Sequence, residues 1–275
     1  MNGVATMAPG RTGEPGIFRS ALHVLEFNLI GYRRTFRASV FSSFVQPVLF
    51  LAAMGLGLGG IVDNTAAGGA LAGSSYLGFI APGMLAATAM NTASGEAMFP
   101  IIAGFKWVRT FHAMAATPVS SAGIVFGQLA FLIFRIGLVG GILAFVIALF
   151  GVGGSPIGLL LAFGATLLTG VAFAAPLTAW AASRDTPASF STIFRFVVTP
   201  LFLFSGTFFP VDRLPPLLQS FALLTPLYHG VALARGAVLG TIDLPTAAGH
   251  VAFLSAMAIA GIVACLIIFP RRLVR

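Results

Sequence analysis

The chain has 275 residues, of which 58% are hydrophobic and only 8% are charged, and its mean hydropathy is +1.00. A soluble domain carries about a quarter charged residues, so this chain has too few charges to hydrate a water-facing surface. The net charge of +8 could suggest nucleic acid. The basic residues, however, lie in short segments between apolar runs and not on one face, which argues against a phosphate-binding footprint. The composition therefore predicts an all-α integral membrane protein.

The N-terminal region divides into two parts. Residues 1–16 are rich in Gly, Pro and Thr, which predicts a disordered tail. Residues 17–37 carry an apolar stripe at alternating steps of four and three, with basic residues outside it. This pattern is typical of a helix lying in the membrane interface. The stripe consists of Phe18, Leu22, Leu25, Leu29 and Tyr32.

Six apolar runs follow, each long enough for a membrane span. A helix needs about 20 apolar residues to cross a hydrocarbon core about 30 Å thick. With the interfacial helix, these runs make one six-span domain over residues 17–275. The predicted spans are 39–60, 76–98, 121–150, 156–182, 191–209 and 250–269.

The basic residues predict the orientation, because Lys and Arg collect in cytoplasmic loops. With both termini cytoplasmic in the plasma membrane, eleven basic residues lie inside and only Arg213 and Arg235 lie outside. Arg135 and Arg195 fall within spans, which completes the total of 15. The eleven are Arg11, Arg19, Arg33, Arg34, Arg37, Lys106, Arg109, Arg184, Arg271, Arg272 and Arg275.

Two segments interrupt the simple alternation of spans and short loops. Residues 99–118 form a cytoplasmic loop whose middle is predicted to make a short helix that ends near Pro118. Residues 210–240 lie outside after the fifth span and are apolar, but prolines divide them into pieces too short to cross. This pattern favours a re-entrant or interfacial pair of helices before the last span.

Motifs for catalysis are missing from the sequence. The GxGxxG pattern at 55–60 ends an apolar run and lacks the strand and acidic residue of a dinucleotide site, so close helix packing explains it better. There is no GxxxxGK[ST] phosphate loop and no GxSxG elbow. Cys265 is the single cysteine, and the four histidines do not have the spacing of metal ligands. We therefore expect neither a bound metal nor an enzymatic activity in this chain.

Three ionisable residues lie within or at the edge of spans: Glu96, Arg135 and Arg195. Charge in lipid is costly and is often functional. All three fall towards the cytoplasmic ends of their spans, so they either anchor the interface, form a structural ion pair, or belong to a gate or substrate relay. The first two interpretations are favoured.

Two stretches resemble type-2 ABC exporter permeases. The stretch 96–118 is similar to the cytoplasmic gate segment of that family, and the stretch 204–236 is similar to its outer segment, particularly in the lipo-oligosaccharide (nodulation-factor) and drug exporter branches. The matching residues of the first stretch include Glu96, Lys106, Trp107, Arg109, Phe111 and His112. Those of the second include Phe208, Phe209, Pro210, Pro226, Tyr228 and His229.

The resemblance implies a partner and an arrangement. Residues 17–37 correspond to the interfacial helix, and about 102–116 to a coupling helix in a water-facing loop. The residues of this helix expected to contact the ATPase are Lys106, Trp107, Arg109, Phe111 and His112. The family implies two permease subunits, identical or different, and two separate ATPase subunits that bind the ATP and Mg. This chain itself would bind no cofactor. His112 stands where related sequences often carry an acidic residue, which leaves the detailed ATPase contact open.

The substrate is constrained only in class. With 27 Phe and few fixed charges, a path between two permeases suits a lipid-like, glycolipid or amphipathic drug-like molecule. The alternative is an ion- or proton-coupled carrier or channel without an ATPase. Such a protein needs membrane-embedded acids or a filter, and Glu96 is the sole acidic candidate within the predicted spans.

Overall fold

The computed structural model describes residues 16–63 and 75–274, and every regular element in these ranges is a helix. The predicted disordered tail therefore lies almost wholly outside the described residues. The α-helices are α1 Ile17–Ala52, α2 Gly59–Asp63, α3 Tyr76–Ile102, α4 Thr110–Ala115, α5 Ser121–Leu149, α6 Pro156–Ala182, α7 Phe190–Ile193, α8 Thr199–Phe204, α9 Pro216–Leu223, α10 Pro226–Leu239 and α11 Leu244–Leu273. Three π-helical segments, Ala53–Leu58, Ala103–Trp107 and Phe194–Val198, and a 3₁₀ turn, Val211–Arg213, complete the set.

Within the described residues, three helices are both long and apolar enough to cross a membrane. They are α5, α6 and α11, with 29, 27 and 30 residues and hydropathies of 2.5, 2.1 and 2.7. They contain the third, fourth and sixth predicted spans. The last helix begins six residues earlier than predicted because the Asp243 carboxylate caps it, accepting a hydrogen bond from the Thr246 backbone N–H.

Helix α3 is long enough to span but less apolar, and its position explains why. It packs against α5, α6 and α10, and most of its residues are buried. A helix surrounded by protein needs no lipid-compatible surface, so its small and polar residues serve close helix packing. At Gly83, for example, an added Cβ would lie 3.1 Å from the Thr207 carbonyl oxygen.

The predicted interfacial helix and the first span are not separate. Residues 17–37 continue without a break to Ala52, and no Gly or Pro lies between Tyr32 and Gln46 to end the helix. The N-terminal half of α1 runs along α5: the Asn28 side-chain amide donates to the Gln128 oxygen (3.1 Å), and the Tyr32 ring contacts Phe131 and Phe134. Packing on α5 therefore holds this segment.

The predicted fifth span is shorter than expected. It was placed at 191–209, but its helical part is Phe190–Phe204, which falls short of the about 20 residues a span needs. The helix ends where Gly206 adopts a left-handed conformation with φ of 82°. The following helices α9 and α10 form the predicted pair, with an angle of 82° between them.

The connections collect at two ends of the bundle. At one end, here called the basic end, the Ser120 N–H donates to the Ser20 hydroxyl (3.4 Å), and Asp185 binds both Lys106 and Arg272. At the opposite end, the Tyr76 N–H donates to the Asp63 carboxylate (2.8 Å), and the loop before α6 packs against the end of α10. Segments predicted to share a side of the membrane thus share an end of the bundle.

Candidate functional site

The loop predicted to be cytoplasmic and to contain a coupling helix at about 102–116 is built in two pieces. Helix α3 continues as the π segment Ala103–Trp107, the chain turns at Val108 and Arg109, and the short α4 follows. Arg109 has a left-handed backbone with φ of 57°, which is uncommon for a residue with a side chain and reverses the chain direction. The predicted short helix before Pro118 is present as α4, but the coupling segment at about 102–116 is not one continuous helix, because its middle is a turn.

This turn, residues 106–109, forms an exposed tip. Trp107 is 60% exposed and Val108 69%, and Lys106 and Arg109 are also exposed. The sequence interpretation grouped Phe111 with these residues, but Phe111 is only 4% exposed. The tip thus presents one large aromatic, one aliphatic and two cationic side chains.

Phe111 packs between the tip and the end of the last helix. Its ring packs against Phe105 (4.8 Å between centroids) and against Phe269 near the end of α11 (5.5 Å). A Cβ at Gly104 would come within 2.4 Å of the Phe111 ring, so glycine leaves the room that this ring occupies. His112 is half-buried with its ring edge against Phe105, and its Nδ1 has no partner among the described residues.

Asp185 links the tip to two other segments of the basic end. Its Oδ1 lies 3.1 Å from the Lys106 Nζ and 2.7 Å from the Arg272 Nη2, and Arg272 also donates to the Arg184 carbonyl. The hydrogen bond from Arg272, and then that from Lys106, hold the pKa of the Asp185 carboxyl below its usual value. This link was not predicted from the sequence, because its partners are far apart in the chain.

Glu96 and Arg135 meet as an ion pair, whereas Arg195 does not join them. Arg135 donates from Nη2 (2.6 Å) and Nε (3.0 Å) to the Glu96 Oε1, and its guanidinium lies 4.4 Å from the Tyr32 ring centroid. The Arg135 side chain is 11% exposed and the Glu96 side chain is 23% exposed. Arg195 is exposed on the π segment Phe194–Val198 and makes no ion pair in the part of the chain that the structure describes.

The ion pair forms part of the wall of an open groove of about 360 Å³. One stripe of α3 contributes Asn91, Thr92 and Phe99, and α5 contributes Val139. Charge in the groove is balanced, and the available side chains are mainly hydrogen-bonding groups beside apolar walls. Such a surface suits an uncharged polar group attached to an apolar one.

The predicted outer residues lie together at the opposite end, mostly packed inside the fold. Phe208 packs against Phe50 and Phe202, Pro226 starts α10, and Phe209 and Pro210 are half-buried in the turn before α9. The residues that hold them were missed. They are Arg235, which binds three backbone carbonyls, and His250, which meets His229 and Tyr228.

Residues 21–239 match the family described as ABC-2 type transporter, and this range covers most of the chain. The chain belongs to the ABC-2 type transporter family. Several proteins named Nodulation protein J are similar over most of the chain. That of Rhizobium leguminosarum bv. viciae is 30% identical over 86% of both chains, and that of Bradyrhizobium diazoefficiens is 32% identical over 90% of this chain and 92% of its own. The Rhizobium leguminosarum bv. trifolii protein is 32% identical over 83% of this chain and 85% of its own.

Family and fold together place the protein in the membrane as a multi-pass transmembrane subunit of an ABC exporter. The predicted resemblance is thereby confirmed. The family match makes this permease a transport subunit, and the family implies that an ABC ATPase accompanies it.

Proposed function

We propose that this permease moves a lipid-like, glycolipid or amphipathic drug-like substrate outward across the plasma membrane, driven by a separate ATPase. Two permeases, identical or different, assemble with two ATPase subunits, which hold ATP and Mg. Closure of the ATPases moves the tip at 106–109, and the attached helices shift as bodies.

The exposed tip is the observation that carries this proposal. Trp107 and Arg109 are of the residue types that dominate the energy of protein interfaces. Here they are exposed on a turn that the fold holds in place through Phe111 and the Lys106–Asp185 bridge. A large aromatic side chain fixed in this position suits a partner surface. Since α3 leads into the tip, a push there acts directly on the central helix of the bundle.

The groove beside Glu96 supports the substrate class. Arg135 neutralises Glu96, so the groove offers acceptors such as the Asn91 and Glu96 side-chain oxygens without a net charge. Hydroxyl or amide groups of an amphipathic substrate would satisfy these acceptors, and its apolar part would lie against Phe99 and Val139. The same pairing weakens the alternative of a proton-coupled carrier, because Glu96 is already engaged by Arg135.

We place the basic end in the cytoplasm, with both termini, because the basic residues concentrate there. Cysteine labelling tests this orientation in a Cys265→Ser background. A cysteine at Asp212, which is exposed at the opposite end, should react with an impermeant reagent added outside intact cells. Reaction only from the cytoplasmic side would reverse the orientation.

The coupling role is tested by the double substitution Trp107→Ala and Arg109→Ala. Because both side chains are exposed, we expect insertion and thermal stability to be unchanged, while association with the ATPase weakens and transport is lost. The matched control is Arg213→Ala with Phe221→Ala, an exposed cation and an exposed aromatic at the opposite end. If the tip variant co-purified with the ATPase and transported as the parent does, the coupling role would be contradicted.

A further inference from the structure

Two histidines that are 21 residues apart meet at the end opposite the tip. The Nδ1 atoms of His229 in α10 and His250 in α11 are 2.6 Å apart, a hydrogen-bonding distance. The His229 ring stacks on Phe253 at 4.0 Å between centroids, and the Tyr228 ring makes edge contacts with both imidazoles. These aromatic contacts fix the two rings so that their Nδ1 atoms face each other.

The contact requires a particular protonation state. One Nδ1 must carry a hydrogen and the other must offer a lone pair, which is satisfied when both rings are neutral or when one is protonated. When both are protonated, each Nδ1 carries a hydrogen, the hydrogen bond is lost and two positive charges face each other. Two sites this close titrate as a pair, and the second proton binds less readily than the first.

Among residues 16–63 and 75–274, no carboxylate is placed where it would compensate two charges on the histidines. Helices α6 and α9, which pack against α10, have no ionisable side chains. On α10 itself, Arg235 is turned to the carbonyls of Phe79, Gly206 and Thr207. On the other elements packed against the two helices, the ionisable residues are Tyr76 and Glu96 of α3, His112 of α4, Arg135 of α5, and Cys265, Arg271 and Arg272 of α11, with Asp243 at the cap of α11.

None of these groups is in a position to neutralise the pair. Asp243 lies seven residues before His250, about 10 Å along the helix axis at a rise of about 1.5 Å per residue, which is too far for an ion pair. Glu96 is paired with Arg135, and Arg271 and Arg272 lie at the far end of α11. When both histidines are protonated, the repulsion between them can therefore be relieved only by moving the two rings apart.

We propose that His229 and His250 form a proton-operated latch between α10 and the last helix. The latch is closed when both histidines are neutral or when one of them is protonated. It opens when both are protonated, which frees the N-terminal end of α10 from α11. This inference is independent of the substrate and of the ATPase. In the proposed orientation the latch faces the cell exterior. External acid would therefore loosen the attachment of the α9–α10 pair to α11, while cytoplasmic pH would not act on the latch.

A distance measurement between α10 and α11 tests the latch. Spin labels are placed on cysteines at Leu224, just before α10, and Ala248, near the start of α11, both exposed, in a Cys265→Ser background. The full chain in lipid nanodiscs is measured from about pH 8 to about pH 4, well below the ordinary imidazole pKa of about 6.5, because the latch opens only with the second proton, which binds less readily than the first. We expect the distance to lengthen and its distribution to broaden on acidification.

Variants identify the source of any change. His250→Gln and, separately, His229→Gln keep a hydrogen-bonding side chain without an imidazole and should make the distance independent of pH. His23→Gln, at an exposed histidine of α1, is the matched control and should behave like the parent. The latch is contradicted if the parent distance does not change over this range, or if both glutamine variants at the pair shift as the parent does. Because the readout involves neither transport nor ATP, failure here leaves the proposed function untouched.

Discussion

The two ends of this permease use arginine in opposite ways. At the basic end, Arg109 lies on an exposed turn beside Trp107, in a strained backbone conformation held by the residues beneath it. At the opposite end, the Arg235 guanidinium donates to the carbonyls of Phe79, Gly206 and Thr207 and lies 3.6 Å from the Phe79 ring centroid. A polar side chain satisfied inside the fold serves stability, whereas one that the fold fixes but leaves exposed is available to a partner.

The largest effect on stability is expected at Arg235. Replacing it with alanine leaves the buried Gly206 and Thr207 carbonyls without their donor and removes one donor to the Phe79 carbonyl of α3, and we expect a loss of about 3 kcal/mol or more. Arg235→Lys should recover only part of this, because one ammonium group cannot reproduce the fork geometry of a guanidinium. Thermal unfolding in detergent measures the change.

The control for Arg235 is Arg213→Ala, at an exposed arginine of the same end, which should leave the unfolding temperature unchanged. Equal destabilisation by the two variants would show that burial and carbonyl binding do not distinguish them. The distinction between a buried arginine that stabilises the fold and an exposed arginine that is available to a partner would then be unsupported.

The Glu96–Arg135 pair lies between these extremes, because it is mostly but not fully buried. Removing one partner, as in Arg135→Met or Glu96→Met, should cost about 1–3 kcal/mol, since the other charge stays behind without compensation. The double variant should be more stable than at least one single variant. Strictly additive losses in a double-mutant cycle would mean that the pair contributes no coupling energy.

The smallest stability effect is expected for Asp185→Asn, because its ion pairs are exposed and surface pairs contribute little. The pKa of Asp185 is lowered in the folded state, so its contribution is present above the ordinary value of 3.8 and is lost as the pH falls through the folded-state pKa. The parent and the variant should thus differ slightly at neutral pH and converge in acid. A difference that grew on acidification would contradict this sign.

Much of the fold could be predicted from the sequence, because long apolar runs determine where α5, α6 and α11 lie. The ends of elements were harder to predict, since they depend on local features. Gly206 ends the fifth span early, and the left-handed Arg109 breaks the predicted coupling helix. Neither a left-handed arginine nor a π segment has a distinct sequence pattern.

The candidate site was predicted in part. Sequence reasoning placed Trp107 and Arg109 in the coupling segment. It offered a structural ion pair as one interpretation of Glu96, Arg135 and Arg195, without saying which of them meet. It wrongly grouped Phe111 with the exposed residues, because an aromatic in a loop does not reveal whether the C-terminal helix covers it. The contact between His229 and His250 depends on how α10 meets α11, and no spacing rule predicts that angle.

The central claim is that the tip at 106–109 is the surface on which the ATPase acts. The most direct test places a photo-crosslinking amino acid at Val108, which is 69% exposed, and irradiates membranes that contain the intact transporter. The same residue at Leu217, which is 81% exposed at the opposite end, serves as the control. We predict a crosslinked product from Val108 that contains the ATPase subunit, and none from Leu217. If Val108 gave no such product in a complex that transports, the account would be contradicted.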